Sequence, residues 1–145
     1  MKKVSVLGCT GSIGTQALDV IEHSSSLCAY AIAANKSVDE VEKIARKFKP
    51  AFVAMYDEDA AKDLKVRLSD TSVKVLSGIE GVCQAACVSD TALTAMSGSV
   101  GILPTLAAVK EGKEIALANK ETMVCAGDII NCEARKSGSK ILPVD

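Results

Sequence analysis

The chain has 145 residues, the size of one ordinary domain. Hydrophobic residues make up 48% and charged residues 24%, which excludes a disordered, collagen-like or coiled-coil chain. Lys and Arg number 17 against 18 Asp and Glu, a formal net charge of −1, so there is no electrostatic footprint for nucleic acid or an anionic membrane.

Aromatic residues are only 3% and Trp is absent, so the core must be built from Ala, Val, Ile and Leu. That palette suits an α/β fold, in which buried parallel strands are short runs of small branched residues. No apolar run approaches the length of a membrane span. Met1-Lys2-Lys3 leads straight into Val4-Ser5-Val6-Leu7, too short an apolar stretch for a signal peptide. A cytoplasmic protein is expected. The six cysteines, Cys9, Cys28, Cys83, Cys87, Cys125 and Cys132, are irregularly spaced and read as small hydrophobes rather than a disulfide framework or zinc site.

Short apolar runs fall at 4–7, 27–33, 51–55, 73–76, 92–96, 114–117 and 140–144. Each predicts a strand. Helical patterns lie between them. The first is expected to follow Gly14 and run to about His23. The second starts at Ser37, where Ser37-Val38-Asp39-Glu40 has the spacing of a capping box, and ends near Phe48, ahead of Pro50. The third covers about 58–68. Ser77-Gly78-Ile79-Glu80 is a second capping-box candidate and opens a short helix to Ala86. A fifth helix carries Pro104 in its first turn. The sixth runs from about Glu121 to Lys136 and stops before Gly138. Strand and helix alternating in this way predict a Rossmann-like, doubly wound α/β fold, with a mostly parallel sheet covered by helices on both faces. Ligands of such sheets bind beyond the carboxyl ends of the strands.

The first strand end carries Gly8-Cys9-Thr10-Gly11-Ser12-Ile13-Gly14. G-x-x-G-x-x-G is a variant of the dinucleotide fingerprint. Gly8 allows a tight turn, Gly11 close approach of a pyrophosphate, and Gly14 close packing of helix on strand. The helix N-terminus offers amide donors and a partial positive charge, and the hydroxyls of Thr10 and Ser12 add donors. The position between strand and helix raises this pattern above a packing turn. The second strand ends in Ala34-Asn35-Lys36-Ser37. An NAD-binding domain places an acid near here to hold the ribose 2′-hydroxyl. None precedes Asp39. Lys36 would attract a 2′-phosphate and Asn35 and Ser37 could donate to it, which predicts NADPH over NADH.

The fifth strand ends in Ser97-Gly98-Ser99-Val100-Gly101, where Ser97 is a candidate contact near the nicotinamide or its ribose. The sixth ends in Asn119-Lys120-Glu121, three polar groups facing one cleft. Lys120 could bind a phosphate or polarise a carbonyl, and Glu121 could orient a ribose or the lysine. Asp145, at the seventh strand's end, is a candidate metal ligand. A chain ending there reads as a fragment. His23 is the only histidine and is expected at a helix end, near terminal carbonyls.

These segments, together with Leu76-Ser77-Gly78-Ile79-Glu80-Gly81, Gly101-Ile102-Leu103-Pro104-Thr105, Leu117-Ala118-Asn119-Lys120-Glu121 and Leu142-Pro143-Val144-Asp145, resemble the N-terminal part of the 1-deoxy-D-xylulose 5-phosphate reductoisomerases over essentially the whole chain. The resemblance implies a 1–145 NADPH-binding domain whose catalytic and C-terminal parts are absent. The family isomerises and reduces 1-deoxy-D-xylulose 5-phosphate to 2-C-methyl-D-erythritol 4-phosphate, using NADPH and Mg²⁺ or Mn²⁺, in non-mevalonate isoprenoid synthesis. By motif match, residues 10–13 would cradle the pyrophosphate and Asn35, Lys36 and Ser37 would meet the 2′-phosphate. Asn119 and Glu121 would bind cofactor, Lys120 would bind substrate and act in catalysis, and Asp145 would hold the metal. The resemblance also implies a homodimer acting on a sugar phosphate when full length, with no nucleic-acid or membrane partner. The family often has Gly-Lys-Asn where this chain has Asn35-Lys36-Ser37. Two other readings compete: a different NADP-dependent dehydrogenase, of the aspartate-semialdehyde type, and a non-enzymatic nucleotide sensor.

Overall fold

A computed structural model describes residues 1–144; Asp145, and with it the expected metal ligand, lies outside the described residues. Seven strands form one sheet. They are β1 (Lys2–Leu7), β2 (Leu27–Ala34), β3 (Phe52–Met55), β4 (Lys74–Ser77), β5 (Thr91–Thr94), β6 (Glu114–Leu117) and β7 (Ile141–Pro143). Six helices connect them: α1 (Ser12–Glu22), α2 (Val38–Phe48), α3 (Glu58–Arg67), α4 (Gly78–Cys87), α5 (Ile102–Lys110) and α6 (Lys120–Ser137). All pairings are parallel, and the strand order is β4-β3-β2-β1-β5-β6-β7. The chain winds outward from β1 to β4, crosses back, and winds outward again from β5 to β7. The order reverses between β1 and β5, so that is the switch point.

The pleat divides the core in two. Val6, Ile32, Val53 and Leu93 share a face with Leu18 and Ile21 of α1, Val41 and Ala45 of α2 and Leu64 of α3. Leu7, Ala33 and Ala54 face the other way, onto Val82, Ala85 and Ala86 of α4, Ala108 and Val109 of α5 and Ile130 and Ala134 of α6. Alanine is frequent on both faces, so the helices lie close to the sheet without aromatic bulk. The polar Ser5 sits inside β1, fully buried, because its hydroxyl donates to the Ala85 carbonyl at 2.6 Å.

Several local expectations need correction. Helix α1 begins at Ser12 rather than after Gly14, because Gly14 needs no room for a side chain and fits inside the first turn. Neither Ser37 nor Ser77 caps its helix through its hydroxyl. Ser37 has ψ 71°, away from the extended geometry that aims a cap at the N3 amide, and Gly78, the first residue of α4, has φ +72°, which turns the helix start away from the Ser77 hydroxyl. The side chains that do cap are Asp57, accepting from the Ala60 amide, and Asn119, accepting from the Glu121 amide. A single 3-10 turn, Gly98–Gly101, precedes α5. Helix α6 is kinked at Ala126, whose φ −138° leaves the helical region. No helix among the described residues is long and apolar enough to cross a membrane.

Candidate functional site

The switch point is built around the three loop glycines, which differ in what surrounds them. Gly8 has φ +92°, and a Cβ there would lie 2.5 Å from the Ala95 carbonyl oxygen. A Cβ on Gly14 would lie 2.0 Å from the Gly8 oxygen. Both positions are closed to any side chain. A Cβ on Gly11 would meet nothing nearer than the Gly8 oxygen, at 3.6 Å. The first two glycines are therefore required by the fold, whereas Gly11 leaves open space that the fold does not use.

Helix α1 opens directly onto that space. Its N-cap is Gly11, which has no side chain to cap with, and its first turn carries no acid. The first backbone bond of the helix runs from the Thr15 amide to the Gly11 oxygen at 2.9 Å, so the amides of Ser12, Ile13 and Gly14 precede the helical ladder. By contrast α2, α3, α4 and α6 all carry an acid in their first turn. An uncapped, unneutralised helix start is a site for an anion. Here it sits beside a cavity of about 170 Å³ lined by Gly8, Thr10, Gly11, Ala34, Asn35, Ala95, Met96, Ser97 and Val100. Cys9 points into the core instead. Burial pushes its thiol up to about 12, which leaves it protonated and no nucleophile.

A second cavity, about 570 Å³, lies past the ends of β2, β3 and β4 and is lined by Asn35, Lys36, Tyr56, Asp57, Glu58, Asp59, Gly78 and Ile79. Asn35 lines both cavities, so they are neighbours along the carboxyl edge. Together they offer a shaped space at the glycine loop and a wider one for a bulkier group. Lys36 is exposed where it lines this cavity, and Ser37, next in the chain, is exposed but does not line it. The three acids of the second cavity were not singled out from the sequence, although the rule that strand ends carry chemistry covers β3 and β4 as well. Asp57 is partly committed, as the cap of α3.

At the end of β6 the polar groups act on the chain itself. Asn119 is buried at 6% exposure. Its Nδ2 donates to the Met96 oxygen at 2.6 Å and to the Gly98 oxygen at 3.0 Å, and its Oδ1 accepts from the Glu121 amide at 3.0 Å. The Glu121 Oε2 accepts from the Gly98 amide at 2.6 Å. Ser97 and Lys120 are exposed, and Lys120 makes no ion pair among the described residues. The structure thus brings residues 8–14, Asn35, Lys36 and Ser97 to one edge, and ties the Ser97 loop to the start of α6. Among the described residues it brings no metal cluster to that edge. The one group of described side chains spaced for a cation is Asp19, Glu22 and His23. It is exposed at the far end of α1, where His23 also takes the Asp19 carbonyl within reach of Nδ1, at 2.9 Å.

Comparison with known proteins is in keeping with this geometry. The family model described as 1-deoxy-D-xylulose 5-phosphate reductoisomerase matches residues 4–127. A protein of that name from Desulfitobacterium hafniense is 47% identical over 148 residues, covering all of this chain and 39% of its own length. The Zymomonas mobilis reductoisomerase solved in complex with NADPH superposes with TM-score 0.92 at 36% identity, covering 99% of this chain and 38% of that one. A further structure, a DOX-P reductoisomerase with NADPH, fosmidomycin and magnesium, gives TM-score 0.95 at 35% identity, covering 99% and 36%. The chain spans about 39% of the length of the curated relatives it matches.

Proposed function

The chain belongs to the 1-deoxy-D-xylulose 5-phosphate reductoisomerase family, and from that premise we propose that residues 1–145 bind NADPH at the β1/β5 switch point and present it to a sugar-phosphate substrate. The observation that carries this is the start of α1: an N-terminus without cap or acid, beneath a glycine whose Cβ position is open. The pyrophosphate would lie there, on the amides of Ser12, Ile13 and Gly14 and the hydroxyls of Thr10 and Ser12. Gly8 and Gly14 hold the loop in the shape that makes the approach possible. The adenosine side would extend into the larger cavity, where Asn35, Lys36 and Ser37 meet the 2′-phosphate. The nicotinamide side would run toward Ser97, with Asn119 and Glu121 bounding it.

NADPH supplies the hydride when bound. The residues of this chain do the orienting. The β1 loop would hold the pyrophosphate and the loops after β2 and β5 the two ends of the dinucleotide, and Lys120, at the start of α6, would meet the substrate's phosphate or polarise its oxygen. The whole protein would then isomerise and reduce 1-deoxy-D-xylulose 5-phosphate, as a cytoplasmic homodimer. A divalent metal belongs to the same proposal, supported by the relative solved with magnesium. The described residues alone do not make its site. Asp145 would contribute one ligand.

The test is calorimetric titration of this chain with NADPH and, separately, NADH. Tighter binding of NADPH is expected. Preference for NADH would overturn the roles given to Asn35, Lys36 and Ser37 and favour the nucleotide sensor. Absence of binding by both this chain and a protein of the relatives' full length carrying it would overturn the cofactor reading altogether.

A further inference from the structure

We propose that Tyr56 is the surface on which the adenine ring of the cofactor stacks, within the larger cavity. The proposal deepens the NADPH reading above and rests on it. The chain has two Tyr, two Phe and no Trp. Three of these four rings are engaged within the fold. Tyr30 and Phe52 meet edge to face with centroids 5.9 Å apart, and the Lys3 ammonium lies 4.2 Å above Tyr30. Phe48 packs against the core, with Lys47 near its ring. Tyr56 is the fourth. It is 38% exposed, and among the described residues its ring meets no other ring and no cation. It lines the 570 Å³ cavity together with Asn35 and Lys36. An aromatic face left open in a polar cavity suits a nucleobase, because every base has a flat π-face to lay on it.

The backbone fixes the ring where an adenosine would reach. The pairing of β2 with β3 continues past both strand ends: the Tyr56 amide donates to the Ala34 oxygen at 2.9 Å, and the Asp57 amide to the Asn35 oxygen at 3.0 Å. Tyr56 therefore stands alongside the segment assigned to the 2′-phosphate. Met55 before it belongs to the core on the α1–α3 face, so the pleat sends Tyr56 to the other side, where Gly78 and Ile79 of α4 line the cavity. Charge orders the two ends of the adenosine. The lysine ion pairs among the described residues belong to Lys2, Lys47 and Lys136, so Lys36 is uncommitted and draws phosphate to the β2 end. Glu58 and Asp59 line the same cavity from the first turn of α3. The Glu58 Oε1 lies 3.4 Å from the Cβ position of Gly78, which puts a carboxylate between α3 and α4. A carboxylate repels a phosphate but accepts from an amino group on the edge of a base. Phosphate at Lys36 and base at Tyr56 is the arrangement in which neither end meets a like charge.

The test titrates NADPH and 2′,5′-ADP, which carries the adenosine and the 2′-phosphate without the nicotinamide. Tyr56→Phe keeps the ring, Tyr56→Leu keeps apolar bulk without a flat face, and Tyr56→Ala removes both. Tyr56→Phe is expected to bind both ligands like the unmodified chain. Tyr56→Leu and Tyr56→Ala should bind both about tenfold more weakly, the scale of one stacked base, with urea midpoints unchanged. Tyrosine emission gives a second readout, since Tyr30 and Tyr56 are the only tyrosines and there is no Trp. 2′,5′-ADP should quench it in the unmodified chain and not in Tyr56→Phe, although both bind. Equal affinity in Tyr56→Ala would overturn the proposal. Normal affinity in Tyr56→Leu would reduce the contact to apolar cover and overturn stacking. A loss for NADPH without a loss for 2′,5′-ADP would place Tyr56 away from the adenosine, and quenching that persists in Tyr56→Phe would belong to Tyr30. If Tyr56→Ala does not fold, Tyr56→Leu decides. If the unmodified chain binds neither ligand, the same variants are compared in a protein of the relatives' full length carrying it. No binding there overturns the NADPH reading and stacking with it, whereas equal binding by every variant overturns stacking alone.

Discussion

Two helix starts face the same edge of the sheet, and they are finished in opposite ways. The start of α6 is filled by the chain's own groups: Asn119 takes the Glu121 amide, Glu121 supplies a first-turn carboxylate, and both reach across to the Gly98 loop. The start of α1 is left bare, with glycine as its cap and no acid in its first turn. Orphan amides and a partial positive charge are present at both. At α6 they are consumed in building the site, whereas at α1 they are available to a ligand. Chemically similar ends thus serve as scaffold in one place and as binding surface in the other.

The sharpest way to break this contrast is to place a methyl group at each glycine of the first loop. Gly14→Ala should have the largest effect. Its Cβ would sit 2.0 Å from the Gly8 oxygen, and backbone rather than a flexible side chain would have to move. Forced overpacking of this kind is expected to destabilise the fold by about 3 kcal/mol or more, read as a lower urea midpoint. A midpoint equal to that of the unmodified chain would mean that the loop is held less tightly than its geometry shows. Gly11→Ala should do the reverse. With no contact nearer than 3.6 Å, its stability should stay within about 0.5 kcal/mol. NADPH affinity should fall about tenfold, near 1.4 kcal/mol, because the new methyl occupies the space through which the pyrophosphate reaches the amides. Normal NADPH affinity in Gly11→Ala would show that the ligand does not approach there.

The same contrast explains what could be read from the sequence. All seven strands and six helices were legible, because each strand is a short branched run and each helix has a regular apolar stripe or a clear stop. The glycine loop was legible for a similar reason, since its spacing is local. Asn119 was legible as a polar group at a strand end, but not as a brace. Its partners Met96 and Gly98 lie 23 and 21 residues earlier in the chain, and no periodicity links them. The failed caps are a third case. Ser37 and Ser77 have the right spacing, yet capping is decided by backbone angles that the spacing does not show, ψ 71° at Ser37 and φ +72° at Gly78. Conversely Asp57 caps α3 through the Ala60 amide without a capping box. The acids around the larger cavity, Asp57, Glu58 and Asp59, are consecutive at the start of α3, but they meet Asn35 and Lys36 after β2 and Gly78 and Ile79 of α4 only once strand order is known. Local chemistry was therefore readable, and chemistry assembled across strands was not.

The amino edge of the sheet, opposite the site, supplies the smallest effect and the other side of the comparison. There Lys2 at the start of β1 and Glu114 at the start of β6 meet at 2.9 Å across β5, whose Thr91 hydroxyl also donates to Glu114 at 3.0 Å. The bond from Lys2, then that from Thr91, holds the Glu114 carboxyl below its usual range. A carboxyl whose folded pKa is depressed adds stability that is present above its unfolded pKa and lost as pH falls through the folded one. Both side chains remain substantially open to solvent, at 46% and 31% exposure, so screening keeps the contribution below about 1 kcal/mol. Glu114→Gln should therefore lower the urea midpoint slightly at neutral pH, with the difference from the unmodified chain vanishing in acid and shrinking with added salt. A salt-independent loss would point to the Thr91 bond rather than the ion pair. NADPH affinity should not change. If it did, the two edges of the sheet would be energetically linked, and the separation of scaffold from binding surface would not hold across the molecule.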